Sequence, residues 1–192
     1  MELRWRLGAS FVEALGDDAL RRMLAFRLTY GAGNTPEWFT YFVRERPALL
    51  AEVLIDYAST TLKAGQDFVS CIYPLLHDPG YRHVAELAVP QLLMLFPVRA
   101  RSGQLSHLEY LLKAALRYSV DQLTGIVERK LGAKGMDVAQ KVHWLATAML
   151  LDPLKYEPVL WHYVGKSWSR ANHLCAFLSD RFVGLSSDYP LS

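Results

Sequence analysis

Apolar residues recur along this chain three and four positions apart, the spacing of one face of a helix, in one segment after another. Leu20, Met23, Leu24 and Leu28 line one face. Leu105, Leu108, Leu111, Leu112, Ala115 and Leu116 line another, and Val138, Val142, Leu145, Ala146, Met149 and Leu150 a third. Ala171, Leu174, Cys175 and Leu178 form a shorter fourth. No segment alternates at period two for long enough to make a strand. Stripes of this kind are buried by packing helix on helix, so the expected fold class is all-α.

The punctuation between stripes agrees. Ser10-Phe11-Val12-Glu13 and Ser106-His107-Leu108-Glu109 both have the form of a capping box, in which Ser and Glu satisfy free amides at a helix start. Thr35-Pro36-Glu37 offers a cap residue, a proline for the first helical position and an acid for the first turn. Gly31, Gly132 and Gly165 follow apolar runs, as C-terminal caps do. Asp152-Pro153 resembles a start, but Pro158 delays the regular helix. The expected helices lie near 10–15, 18–30, 36–46, 47–63, 66–77, 81–96, 104–118, 120–131, 137–151, 156–164 and 168–180, with kinks or early stops at Pro74 and Pro90. One domain over 1–183 and a tail over 184–192 are expected.

A weak internal repeat accompanies these helices. Ala115–Ser119 leads into Leu123–Val127, and Ala148–Asp152, 33 positions later, leads into Val159–Val164. Leu24–Tyr30 followed by Trp38–Val43 has the same shape. A period of this size is that of stacked antiparallel helix pairs, a HEAT-like α-solenoid. The alternative is an irregular helical bundle, since any two amphipathic helices look alike.

Composition narrows the function classes. With 192 residues, 52% apolar and 21% charged, the chain supports a real core and is not disordered. A net charge of +2 does not announce a nucleic-acid binder. The halves differ, −2 over residues 1–96 and +4 over 97–192. Cys71 and Cys175 sit among apolar neighbours and are expected as buried, reduced thiols of a cytoplasmic protein. Charges at Glu2, Arg4 and Arg6 argue against a signal peptide. The most apolar stretch, Leu87–Val98, contains Pro90 and Pro97 and is shorter than the roughly 20 residues of a membrane span, so no membrane association is expected.

Catalytic motifs do not survive inspection. Gly165-Lys166-Ser167 resembles the end of a phosphate loop, but Leu160 stands where that loop needs its first glycine, and a helix precedes it rather than a strand. Neither binding nor hydrolysis of ATP is expected. Gly31-Ala32-Gly33-Asn34 lacks the third glycine of a dinucleotide turn. His77, His83, His107, His143, His162 and His173 form no metal-ligand spacing with each other or with cysteine, although His162 and His173 could approach across adjacent helices. Glu52 and Asp56 share a helix face, an arrangement open to acid–base work but more often solvated. No catalytic residue, cofactor or metal is assigned.

Aromatic residues pose a sharper choice. Trp38-Phe39-Tyr41-Phe42 and the later Trp161, Tyr163 and Trp168 should be mostly core. Phe39, Phe42 and Val43 form one stripe, and Trp38 and Tyr41 lie a 100° step away at its edge. Arg44 and Arg46 follow in the last turn, where positive charge suits a helix C-terminus. Trp38, Tyr41, Arg44 and Arg46 are therefore the candidate partner-binding residues, of the types enriched in interface hot spots.

Several phrases together resemble the HEAT-like C-terminal region of large bacterial NACHT-type (STAND) NTPases. They are Trp38-Phe39, the run Glu45–Leu54, His77-Asp78-Pro79, Phe96–Ala100, Leu111–Tyr118 and Leu150–Pro153. The likeness spans roughly residues 15–180 and its motifs are structural. It implies a sensor, scaffold or partner-binding surface, with the nucleotide-binding engine lying outside this segment. The resulting expectation is a non-catalytic helical-repeat module that binds a protein partner. The alternative is a HEAT-like nucleic-acid binder or DNA glycosylase-type enzyme, using Arg99, Arg101, Arg117, Arg129, Lys130 and Lys134. At +2, only weak or no nucleic-acid binding is expected.

Overall fold

The computed structural model describes residues 15–30 and 35–184, with side chains through Ser179. The Ser10 capping box, the helix near 10–15, the Gly31–Asn34 turn and residues 185–192 of the expected tail lie outside them. Among the described residues there are ten α-helices and no strand. They are α1 (Asp17–Thr29), α2 (Glu37–Glu45), α3 (Pro47–Lys63), α4 (Tyr73–His77), α5 (Arg82–Leu95), α6 (Leu105–Tyr118), α7 (Val120–Leu131), α8 (Val138–Leu151), α9 (Pro153–Val164) and α10 (Trp168–Gly184). The chain divides into two compact units, one holding α1 to α6 and the other Val98–Arg101 together with α7 from Asp121 through α10.

In the first unit α3 is the hub. It buries Leu49, Leu50, Ala51, Val53, Leu54, Ile55, Ala58 and Leu62, which point to more than one side. A helix apolar nearly all round must be covered nearly all round, and α1, α2 and α5 do this. Pro47 occupies its first turn, where a missing N–H costs nothing. α5 passes the core on to α6 through Val84, Ala85, Ala88, Val89, Leu92 and Leu93. Pro90 sits inside α5 without ending it, buried among these residues.

In the second unit α8 is the hub. Val142 to Ala148 are buried without interruption, with Trp144 fully enclosed. α9 and α10 pack against it. Asp137 caps α8, accepting from Ala139 N at 2.8 Å and Gln140 N at 3.2 Å. The buried Gln140 side chain accepts the Ala100 N–H at 3.1 Å, which fixes the Val98–Arg101 segment to this unit.

Three expectations about helix ends give way. The helix expected near 66–77 is only Tyr73–His77, because side chains from elsewhere occupy the backbone before it. The Gln104 amide donates to Leu62 O at 2.8 Å and Gln66 O at 3.2 Å, and His107 Nε2 accepts the Val69 N–H at 3.0 Å. Ser106 does not close a capping box; α6 begins at Leu105, Ser106 Oγ donates to Gly103 O, and Glu109 pairs with Lys113 instead. α9 begins at Pro153 rather than near 156. Asp152 Oδ1 accepts the Lys155 N–H at 3.1 Å, and the helix carries Pro158 inside it.

Candidate interaction surface

The four residues singled out on α2 part company. Trp38 is buried, edge-on to Phe39 at 5.7 Å and to Phe42 at 6.5 Å. The inward stripe is wider than Phe39, Phe42 and Val43; it takes in Trp38, one turn before Phe42, so this residue is core and not surface. Tyr41 is half-buried against Phe42. Arg44 is exposed, and Arg46 lies 4.0 Å from the Asp17 carboxylate. What α2 offers outward is Tyr41 and Arg44.

The second unit presents a larger apolar surface on α9. Successive residues of a helix turn by 100°, so Leu154, Pro158 and Trp161, at i, i+4 and i+7, share one face. Leu160 and Val164 point to the opposite side and are buried, with Tyr156 and Tyr163 half-buried beside them. Leu154 is 94% exposed and Trp161 55%. Trp168, opening α10, is 81% exposed. Pro158 has no N–H, so the carbonyl of Leu154 receives no intrahelical bond from it.

Charges border this face. Trp161 Nε1 donates to Glu157 Oε1 at 3.3 Å. Lys155 Nζ pairs with Glu128 Oε1 at 2.7 Å, and this hydrogen bond raises the lysine pKa and lowers that of the glutamate. His162 and Lys166 are exposed. On the opposite side of α9, Tyr163 has the Arg170 guanidinium over its ring at 4.1 Å and the Lys141 ammonium at 5.1 Å. An apolar centre with an aromatic anchor and a polar border has the makeup of a protein-binding patch.

The first unit exposes smaller aromatic groups. Phe26 and Tyr30 lie with ring centroids 4.7 Å apart on α1. Tyr73 stacks on His77 at 4.1 Å, and both meet Tyr110 of α6 edge-on, at 5.6 and 5.5 Å. Phe68, before α4, is 75% exposed.

The remaining sequence candidates stay apart. Gly165-Lys166-Ser167 is the turn between α9 and α10, with Gly165 N–H bonded to Trp161 O at 2.9 Å. Glu52 pairs with Arg21, while Asp56 is solvated on the same face. Among the described residues no group of three or more His, Cys, Asp and Glu could hold a metal ion. Among the described residues no helix is long and apolar enough to cross a membrane. Of the basic residues, Lys130 is buried and Arg99 Nε donates to Gly135 O at 3.2 Å. Cys71 is buried as expected, but Cys175 is exposed, one 100° step round α10 from the buried Leu174. His107 and His143 are buried, which no spacing rule indicated.

The α9 surface is not evident from sequence, because a proline at 158 predicts a helix starting past Leu154, whereas α9 begins at Pro153. The signal was present: two interleaved stripes, 154-158-161 and 156-160-163-164, in a helix that can bury only one of them. Compared with protein-family models, with curated proteins and with solved structures, the chain has no match.

Proposed function

We propose that this chain is a non-catalytic helical interaction module, a scaffold or sensor that works by holding a protein partner. The observation that carries the reading is the uncovered apolar face of α9, with Leu154 and Trp161 turned to solvent. Leaving such side chains exposed forgoes about 1.5–3 kcal/mol each of burial free energy, which a partner recovers on docking. Trp is the residue type most often found at the energetic centre of an interface. The reading extends to architecture: helices paired through connectors as short as Arg46 and Asp152, stacked as in a HEAT-like solenoid and akin to that region of NACHT-type NTPases. The nucleic-acid alternative is served less well, because Lys130 is buried and Arg99 is engaged with a backbone carbonyl.

The test is affinity capture from native cell extract with wild-type protein and a Leu154→Ser, Trp161→Ser variant, after matching their circular dichroism melts. Wild type should retain a partner that the variant loses. A variant that melts normally and retains every protein the wild type does would remove α9 as the interaction surface.

A further inference from the structure

Independently of the α9 surface, we infer that the backbone after α3 is held by a histidine latch, His107 on Val69, which opens when the imidazole takes up a proton. Val69 is 1% exposed, and its N–H donates to His107 Nε2 at 3.0 Å across 38 positions of sequence. A buried amide needs an acceptor, and losing it costs about 1–3 kcal/mol. Nε2 can accept only while it carries no proton, so the bond itself assigns the neutral tautomer with hydrogen on Nδ1. Protonation places a hydrogen on Nε2 as well. Two N–H groups then face each other, and the charged ring and the latch exclude one another.

The surroundings favour the closed, neutral form. His107 is 5% exposed and its Nδ1 is buried. Burial holds its pKa below the ordinary histidine value, outweighing the backbone and carboxylate of Asp67, which pull the other way. Asp67 is the charged group that bears on the ring from the latched segment, whose other titratable group is the buried Cys71. On α6 itself Glu109 and Lys113 pair together. From α5, Arg82 and His83 both bind Glu86. From α4, Tyr73 and His77 face Tyr110.

The segment is anchored at both ends. Gln104 holds its start through Leu62 O and Gln66 O, and this amide does not titrate. Ile72, fully buried, holds its end. Between these anchors lies Phe68, exposed, with its ring 6.4 Å from that of His107. The sign follows from the lowered pKa: the unfolded or unlatched state binds the proton more tightly. The latch is closed above the ordinary histidine pKa and is lost as pH falls through it toward the folded value.

The test is residue-resolved amide exchange and histidine ¹⁵N shifts on the whole chain between about pH 8 and pH 5. At the upper end, His107 should show hydrogen on Nδ1 and Val69 should be protected. On acidification the Val69 protection factor should fall at least about tenfold, within the range for losing one buried hydrogen bond, on the same curve as the His107 shifts. Leu111 in α6 should stay protected. His107→Gln presents a neutral acceptor and should leave Val69 protection independent of pH. A wild-type Val69 that stays protected while His107 titrates, or a His107 carrying hydrogen on Nε2 at the upper pH, would overturn the latch, whether or not the variant folds.

Discussion

Trp161 hands its indole N–H to Glu157, one helical turn earlier on the exposed side of α9, with an N···O separation of 3.3 Å. The bond satisfies the ring's polar atom while leaving its face in water. Trp144, by contrast, is fully buried, and its Nε1 has no partner. Among the described residues the tryptophans thus divide by environment, with Trp38 and Trp144 enclosed and Trp161 and Trp168 open. Acrylamide quenching should reveal a readily quenched component of the emission. In a Trp5→Phe background, Trp161→Phe with Trp168→Phe should remove most of that component and leave the blue-shifted remainder, with little change in thermal midpoint. An unchanged quenching curve would place these rings under cover.

The two cysteines should differ as sharply. Burial pushes the Cys71 thiol up to about 12, so it is inert at neutral pH. Cys175 is exposed. A thiol reagent such as Ellman's should modify one cysteine per folded chain, none in Cys175→Ser, and a second only on unfolding. Tyr81 is likewise pushed up to about 12, chiefly by burial. A folded pKa raised above the unfolded one gives stability that is complete below the unfolded value and is lost as pH rises toward the folded one. Both groups therefore predict a urea midpoint that declines as pH rises from the ordinary thiol and phenol range toward 12. A midpoint constant across that range would contradict the burial of both.

Gln104 supplies a third check. Its amide is 1% exposed and donates to two carbonyls, Leu62 O and Gln66 O. Gln104→Ala removes a buried donor from both carbonyls, although Leu62 O keeps the Gly65 N–H at 3.0 Å, and should cost about 1–3 kcal/mol in urea denaturation. Gln104→Glu should cost more near neutral pH, since a carboxylate cannot donate and repels both oxygens. A cost below about 0.5 kcal/mol, the level of a neutral surface change, would mean that water replaces the amide.

These residues also show what was legible beforehand. Periodicity is a local signal, so α1, α6 and α8 could be read closely from their stripes. The segment 66–72 could not, because what stops it from being helical is Gln104 and His107, roughly forty positions away. Capping motifs failed for a related reason: Ser106 has a nearer carbonyl to bond, and Glu109 has Lys113 one turn on. Asp137, never marked as a cap, makes two cap bonds. At the candidate surface, the expectation that Trp38 lay at a stripe's edge assumed a narrow buried arc, whereas α2 buries Trp38, Phe39, Phe42 and Val43 together. Exposure on α9 depends on which of two apolar stripes finds a neighbour, and only tertiary packing settles that.

Leu154 and Leu160 put that choice to its plainest test, because they are the same residue type on one helix. Leu160 is fully buried where α9 packs on α8, whereas Leu154 is 94% exposed. Truncating a buried leucine removes its transfer free energy and leaves a cavity, so Leu160→Ala should destabilise by about 2–5 kcal/mol. Leu154→Ala creates no cavity. It lies in the first turn, where alanine is at least as good a helix former as leucine. Its stability effect should lie within about 0.5 kcal/mol of zero. Denaturation of the two variants side by side, with matched m-values, measures the difference directly. If the two cost the same, α9 does not bury the stripe assigned to it. If Leu154→Ala alone is costly, the stripe treated as a free docking face is core, and the interaction reading loses its support.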